Sequence, residues 1–382
     1  MTEWTNSVLT GDVRERLGDL PDDSVHMVMT SPPYFGLRDY GHDDQIGLED
    51  ELDAYIEELV AVFREVRRVL RPDGSAWLNL GDSYSGGRGN HMGNKKGKVY
   101  EDDSEAYASV DNTATFGRKN KMLVPHRVAI ALQSDGWVVR NDVTWVKPNP
   151  MPSSVKDRLN TTTEQIFHLT PNPDYWYDLD AIREAHCEKV REDLEKASDE
   201  ERDAAIGSKG SAPDRNDSEG SGFNNNASCD PAGKNPGDVF EVTTKPFPDA
   251  HFAVYPPELC DKPLKATCPP TVCVECGSPY ERNALPKPDE TPDPTIPFKQ
   301  TCDCDTDATE PGIALDPFAG AGTTLLKAKE LGRRFVGVEL NAEYADMARA
   351  RIGLTPNDPA TVRSDDDQQG FEAYTDGGDD AE

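Results

Sequence analysis

Four consecutive residues near the amino terminus could hold an amino group for a reaction. The sequence Ser31-Pro32-Pro33-Tyr34 follows the apolar run Val25–Met29, which predicts a buried strand that ends at the prolines. The prolines stiffen the backbone, so the hydroxyl of Ser31 and the carbonyl of Pro32 point in fixed directions. Such acceptors can polarise the exocyclic amine of a base, while Tyr34 offers a ring for stacking. The alternative is a proline turn that only caps the strand.

A second group of residues, near the carboxyl terminus, could bind a cofactor. The segment Asp316–Thr324 (DPFAGAGTT) follows a predicted strand and opens a predicted helix, where glycines allow close approach and backbone N–H groups are free. The segment lacks both the GxGxxG pattern and the lysine of a P-loop, which argues against a nucleoside triphosphate. Glu339 ends the next predicted strand, where an acid can accept hydrogen bonds from ribose hydroxyls. Together with Asp316, it suits a ligand with a sugar and a cationic part; an ordinary glycine turn is the alternative.

Four of the eight cysteines have the spacing of a metal site. Cys273 and Cys276 form a CxxCG turn, and 25 residues separate them from the pair Cys302 and Cys304. This pattern predicts a tetrahedral zinc site, which would be structural because all four ligands come from the protein. The second pair is CxC rather than CxxC, so Cys260 or Cys268 could replace one ligand. Buried free thiols and a redox pair are the alternatives.

The elements that would position these groups alternate between strands and helices. Apolar spacing and stop signals predict strands at Val25–Met29, Ser75–Leu80, Gly312–Leu315 and Arg334–Leu340, and helices at Leu52–Leu70, Thr323–Leu331 and Ala342–Ile352. This alternation predicts an α/β fold with a mostly parallel sheet and helices on both faces. Such sheets bind ligands at the carboxyl ends of their strands.

The composition excludes some classes of protein. The chain has no apolar run of the roughly 20 residues that a membrane helix needs and no amino-terminal signal segment, so we expect a cytoplasmic protein without a membrane partner. Its net charge of −31 is spread over the whole sequence, a pattern typical of a halophile, whose molar salt shortens screening to about 3 Å. Residues 88–158 carry a local charge of +4, so contact with nucleic acid stays possible.

The two motifs together, TSPPYFG and then LDPFAGAGTTLLKAKELGRRFVGVEL, resemble those of the amino-methylating DNA methyltransferases. The order, with the catalytic motif first, is similar to that of the cytosine-N4 group. The resemblance implies a Rossmann-like domain with a seven-stranded sheet, S-adenosylmethionine as cofactor and double-stranded DNA as partner. In that family the tetrapeptide begins with Ser in most N4-cytosine enzymes and with Asp or Asn in most N6-adenine enzymes, so Ser31 favours cytosine.

The resemblance also implies roles for individual residues. Catalysis would fall to Ser31, Pro32, Pro33 and Tyr34. The cofactor site would comprise Asp12, Phe252, Asp316, Pro317, Phe318, Gly320, Gly322, Thr323 and Glu339. Asp82 would flank the base pocket, unless it only makes a strand-end turn. The chain has no Pro-Cys dipeptide, which is the nucleophile setting of carbon-5 cytosine methylases, so that chemistry is excluded.

We expect four regions along the chain. Residues 1–155 would form the first part of the catalytic domain, with a mobile loop at 86–121, and residues 156–245 a target-recognition region with a flexible linker. Residues 246–353 would complete the catalytic domain and contain the zinc module at about 260–305, and residues 354–382 would be a disordered acidic tail. Lys147, Lys156 and Arg158 are candidate DNA contacts, or else solvated surface charges.

Several alternatives stay open at this stage. The chain could methylate N6 of adenine, or an amine or amide of RNA or protein, although the latter group usually has Asn in place of Ser31. It could also be a zinc-bearing DNA-binding protein with an inactive methylase domain. A cognate restriction endonuclease is a possible partner, and the sequence leaves the oligomeric state open.

Overall fold

An eight-stranded sheet forms the centre of the computed structural model, which describes residues 4–37, 45–86, 113–188, 190, 232–245, 254–282 and 298–354. In chain order its strands are β1 (Ser7–Thr10), β2 (Val25–Thr30), β3 (Leu70–Leu80), β4 (Val138–Val146), β5 (Thr163–Thr170), β6 (Val239–Glu241), β11 (Ile313–Asp316) and β12 (Arg334–Glu339). Four two-residue strands lie outside this sheet, namely β7 (Val272–Cys273), β8 (Glu281–Arg282), β9 (Phe298–Lys299) and β10 (Thr309–Glu310). Most of the predicted loop at 86–121 and the tail lie outside the described residues.

The strand order is β1-β12-β11-β2-β3-β5-β4-β6, and all neighbours are parallel except for β5, which is antiparallel to β3 and β4. The prediction of a mostly parallel sheet is confirmed. The prediction of seven strands is wrong by one, because the short strand β6 pairs with β4 at the edge. Phe240 of β6 is buried there, and Trp145 Nε1 donates a hydrogen bond to the Val242 carbonyl at 2.8 Å.

Helices cover both faces of the sheet. They are α1 (Val13–Arg16), α2 (Leu52–Val69), α3 (Thr113–Phe116), α4 (Val124–Ser134), α5 (Asp261–Thr267), α6 (Thr323–Glu330) and α7 (Ala342–Ile352), with 3₁₀ turns at Leu17–Asp19 and Pro257–Cys260. Because successive strand residues point to opposite faces, Val28 packs with α2 and α4 while Met27 and Met29 pack with α5, α6 and α7. No helix among the described residues has both the length and the apolar character to cross a membrane.

One strand begins earlier than the sequence predicts. The sequence predicts a helix that ends at Leu70 and a strand that begins at Ser75, but β3 already begins at Leu70. Leu70 pairs with Val25 and Ser75 with Met27, so the three extra residues are accommodated as an irregularity in the ladder. The proline therefore does not end the strand.

The position of β11 determines where the site lies. This strand comes late in the chain but inserts between β12 and β2, and its neighbours all run parallel to it. The carboxyl ends of β2, β11 and β12 consequently meet at one edge of the sheet. Thr30, Asp316 and Glu339 are the last residues of these three strands.

A buried histidine makes the stability of this sheet dependent on pH. His168 of β5 stacks on Trp77 at 4.2 Å between ring centroids and hydrogen-bonds the Ser75 hydroxyl at 3.1 Å. Burial, and then the charge of Arg140, lowers the pKa of His168 to about 3. In the unfolded chain His168 therefore binds a proton below about pH 6.5. In the native state it stays neutral down to about pH 3.

We expect the free energy of unfolding to fall as the pH drops through this window. At pH 5 the contribution of His168 to this loss is about 2 kcal/mol, from 1.36 kcal/mol per pKa unit. Denaturant unfolding at pH 7.5 and pH 5 should show a smaller loss for the variant His168→Gln than for the wild type. Equal losses in the two proteins would contradict the assignment.

Candidate active site

The carboxyl ends of β2, β11 and β12 open into a cavity of about 630 Å³. The structure brings both predicted motifs together in its walls, through Ser31, Pro32, Pro33, Tyr34, Asp12, Pro317, Phe318, Gly320, Thr323 and Glu339. Asp316 and Gly322 are next to this cavity but do not line it. Phe252 lies outside the described residues.

The SPPY segment is held by contacts on both of its sides. The Tyr55 hydroxyl of α2 donates a hydrogen bond to the Pro33 carbonyl at 2.8 Å. A Cβ atom on Gly81 would lie 2.5 Å from Cε2 of Tyr34, so only glycine fits beside this ring. Pro32 lines the cavity, and within the described part of the chain no group donates a hydrogen bond to its carbonyl.

A polar network joins the hydroxyl groups of this segment to a carboxylate. The Tyr34 hydroxyl donates to Glu164 Oε2 at 2.8 Å. Asn79 Nδ2 lies 3.0 Å from the same oxygen, 3.0 Å from the Tyr34 hydroxyl and 3.3 Å from Ser31 Oγ. Lys147 forms an ion pair with the other oxygen of Glu164. Asn79 Oδ1 is buried and has no partner among the described residues, which leaves one acceptor in this wall unused.

The surroundings of Tyr34 keep its hydroxyl neutral. Burial, and then the charge of Glu164, raises the pKa of Tyr34 well above its ordinary value of 10. The Tyr34 hydroxyl therefore keeps its proton at neutral pH, so it can donate a hydrogen bond but cannot act as a general base.

Glu164 is a functional candidate that the sequence analysis missed. It lies in the strand sequence Thr163–Thr170, and it faces Tyr34 from 130 residues further along the chain. The available signal was one acidic residue at the start of a strand that becomes fully buried. Lys147, predicted to contact DNA, is engaged with this carboxylate inside the cavity. Lys156 and Arg158 are exposed, and their contact with DNA stays a prediction.

The glycine-rich loop on the opposite wall is fixed by Glu339. Its Oε2 accepts a hydrogen bond from Gly320 N at 2.7 Å, and its Oε1 accepts one from Asn341 N at 2.9 Å. A carboxylate oxygen can accept two hydrogen bonds, so each oxygen keeps one position for a ligand hydroxyl. Gly320 has a φ of +51°, which favours glycine at this turn. Burial raises the pKa of Glu339, and the two backbone donors oppose this effect.

Asp316 joins the two motifs from beneath the cavity. Its Oδ1 accepts hydrogen bonds from the Thr30 hydroxyl at 2.7 Å and from Phe318 N at 3.1 Å, and its Oδ2 accepts one from the Tyr255 hydroxyl at 3.0 Å. Its side chain is buried, and burial raises its pKa while these donors lower it. The geometry thus makes Asp316 a link between β2 and the glycine-rich loop. Tyr255 also lines the cavity.

Two further acids have mainly structural partners. Asp12 caps α1 by accepting from Arg14 N at 2.7 Å, and the hydrogen-bonded Arg14 side chain lowers its pKa. Asp82 accepts from Ser83 N at 2.9 Å and from Val124 N at 3.0 Å, so it joins the end of β3 to the start of α4. This arrangement matches the alternative of a strand-end turn for Asp82.

The structure also brings the four predicted cysteines into one cluster. The sulfur atoms of Cys273, Cys276, Cys302 and Cys304 all lie within 4.8 Å of one another. Cys260 and Cys268 are buried elsewhere and are not part of this group.

Comparison with known proteins agrees with this architecture. A family model described as DNA methylase, for the N6 and N4 amino-methylating type, matches residues 25–350. The Type II methyltransferase M.SmaI of Serratia marcescens is 36% identical over 348 residues, covering 90% of each chain. M.XycI of Xanthomonas campestris pv. cyanopsidis is 35% identical over 349 residues, covering 91% of this chain and 87% of its own. The solved structure of the PvuII DNA methyltransferase (cytosine-N4-specific) has a TM-score of 0.52 at 16% identity, with 92% and 88% of the two chains covered, and shows the same fold.

The fold and the paired motifs at one cavity define a methyltransferase of the α/β class. The chain belongs to the N6/N4 DNA methylase family and is a relative of the Type II DNA methyltransferases. S-adenosylmethionine is the cofactor that the resemblance in the sequence implies, and the family match agrees with it. The residues present fit this cofactor, because the free acceptor positions of Glu339 suit ribose hydroxyls and the wall beside them is apolar, with Phe318, Val338 and Leu340.

Proposed function

We propose that this protein methylates the exocyclic N4 of cytosine in a short recognition sequence of double-stranded DNA. The observation that carries the proposal is the pair of acceptors at Ser31 and Pro32, which line the same cavity as the glycine-rich loop and Glu339. When bound, S-adenosylmethionine supplies the methyl group from its sulfonium centre.

The chain's own residues would orient the amine. The Pro32 carbonyl and the Ser31 hydroxyl accept its N–H hydrogens, which concentrates electron density on the nitrogen and moves it towards tetrahedral geometry. Tyr34 provides the stacking surface for a flipped base. Its ring packs against Gly81, and its hydroxyl donates a hydrogen bond to Glu164. Holding the amine in line with the donor supplies much of the rate enhancement.

We further propose that Glu164 positions Tyr34 and Asn79. The variant Glu164→Gln keeps the size of the side chain but removes the charge that pairs with Lys147 and receives the two hydrogen bonds. We expect kcat to fall by about 10- to 100-fold, as for other hydrogen bonds that orient reacting groups. The Kd for S-adenosylmethionine should change little, because Glu164 is on the wall opposite Glu339.

Steady-state methyl transfer and calorimetric titration of the cofactor test this role. Glu330→Gln is a suitable control, since this exposed residue forms an ion pair with Lys327 of its own helix and neither residue lines the cavity. If Glu164→Gln keeps wild-type turnover, the positioning role is wrong.

The choice of cytosine rests on Ser31, and adenine N6 is the second candidate within the family. Sequencing that reports modified bases, applied to DNA from a host that expresses the protein, gives the base and its sequence context together. We expect N4-methylcytosine at one short motif. N6-methyladenine would overturn the choice of base, and cofactor binding without any modified base would indicate an inactive methylase domain.

The partners of the reaction follow from the same proposal. We propose that the region 156–245 reads the DNA sequence, although its residues 189 and 191–231 lie outside the described part. A cognate restriction endonuclease stays a prediction. The acidic composition predicts stability and activity optima at high salt, and optima at low salt would contradict it.

A further inference from the structure

The strongest group of ligand-type side chains outside the cavity is the cluster Cys273, Cys276, Cys302 and Cys304. Its four sulfur atoms lie within 4.8 Å of one another. Zinc–sulfur bonds of about 2.3 Å in a tetrahedron place the sulfur atoms about 3.8 Å apart. The cluster is therefore close to the size that one zinc ion requires.

The local backbone supports a metal-binding turn. Gly277 follows the first cysteine pair with a φ of +69°, and its N–H donates to the Cys273 carbonyl at 2.8 Å. This closes the CxxCG segment into a tight turn that directs two sulfur atoms to one point. The strands β7 to β10 and the turns between them, within residues 272–282 and 298–310, are here called the cysteine module.

The cysteine module packs on the edge of the sheet opposite to the cavity. His26 of β2 links strand β11 to this module. Ile313 N of β11 donates a hydrogen bond to Nδ1 of His26 at 3.1 Å. That bond makes Nδ1 the acceptor, so Nε2 carries the proton and donates to the Gly277 carbonyl at 3.0 Å. Arg71 of β3 also donates to the Cys276 carbonyl, at 3.1 Å. The turn that bears two of the cysteines thus contacts β2 and β3 directly and is linked to β11 through His26.

These contacts lie beside the short pairing of β2 with β11, which is here called the β2–β11 seam. The strands β2 and β11 pair through only Met27–Ala314 and Val28–Leu315. At the carboxyl end of this seam the Thr30–Asp316 hydrogen bond joins the strands, and at the amino end His26 joins both strands to the cysteine module.

We propose that the four cysteines bind one Zn²⁺ ion and that the cysteine module fastens the β2–β11 seam at its amino end. Metal binding would then be coupled to the folding of the sheet. The zinc would have no direct part in methyl transfer, because all four ligand positions are filled by protein and the module lies opposite to the cavity.

Metal analysis of the purified full-length protein tests the site itself. We expect one zinc per chain, and growth in cobalt should yield the visible absorption bands of a tetrahedral cobalt–thiolate centre. Cys276→Ser should lose the metal, whereas Cys187→Ser, at an exposed cysteine outside the cluster, should keep one zinc per chain. Folded protein with reduced thiols and no zinc, or with disulfides among these cysteines, would overturn the proposal.

Hydrogen exchange tests the role of the module without relying on a variant that could fail to fold. Removal of zinc from the wild type with a chelator should lower the thermal midpoint by about 10 °C. It should also increase amide exchange at least tenfold in residues 25–30 and 313–316, while α2 keeps its protection. Unchanged exchange in both strands after complete zinc removal would show that the module folds independently. Neither readout depends on methylation, so this test stands apart from that of the proposed function.

Discussion

Replacing Ser31 with alanine is expected to lower kcat by about 100- to 1,000-fold and to leave the Kd for S-adenosylmethionine within about threefold of the wild type. The variant loses the hydroxyl that would accept from the target amine, and a lost transition-state hydrogen bond in a closed site costs about 3–4 kcal/mol. The cofactor loop is on the other wall and makes no hydrogen bond to Ser31 in the described residues. Single-turnover transfer of a tritiated methyl group and calorimetric titration of the cofactor measure the two quantities.

The control for this experiment is Ser134→Ala. Ser134 also bears a hydroxyl group, which donates a hydrogen bond to the Ile130 carbonyl at 2.9 Å, but it is exposed at the end of α4. This variant should keep wild-type turnover. If Ser31→Ala also keeps it, the assignment of the SPPY motif as the catalytic segment fails.

Replacing Asp316 with alanine should lower both the free energy of unfolding and the affinity for the cofactor. The variant leaves the hydroxyls of Thr30 and Tyr255 and the N–H of Phe318 without their buried acceptor. Unsatisfied buried donors cost about 1–3 kcal/mol each, so we expect a loss of about 3–5 kcal/mol in stability after partial relaxation. The loosened glycine-rich loop should weaken S-adenosylmethionine binding by more than tenfold.

Denaturant unfolding and calorimetry separate two possible roles of this aspartate. Weaker cofactor binding with wild-type stability would mean that Asp316 acts as a direct ligand contact, as the sequence suggested, and not as a link between strands. Asp346→Asn is the matched control, because that aspartate is largely exposed and pairs with Arg349 of its own helix. It should change neither quantity.

The two motifs line one cavity for a physical reason that the sequence already contains. Each motif directly follows an apolar strand, and the carboxyl ends of parallel strands share one edge, so Ser31 and Glu339 had to meet. The contacts of Glu164 and Tyr255 could not be predicted in this way. Their partners, Tyr34 and Asp316, are 130 and 61 residues away in the chain, and only the folded arrangement shows such pairings.

Two features of the sheet, strand β6 and the start of β3, also differ from what the local sequence pattern predicts. Strand β6 has three residues, of which only Phe240 is buried, so it has too little alternation to be recognised. The Pro72–Gly74 segment has the composition of a turn, yet it remains in the strand because the parallel partner β2 accommodates the additional residues. In both cases the contact with a neighbouring strand outweighs the local preference.

The late position of β11 has a consequence for biosynthesis. Residues 313–316 occupy the middle of the sheet between β12 and β2, so the sheet remains open until more than 310 residues have left the ribosome. Until then, β2 has an unpaired edge on which other nascent chains could pair. Contacts between such distant segments also slow folding. We therefore expect the newly made polypeptide to depend on chaperones, and fragments that end before residue 313 to aggregate.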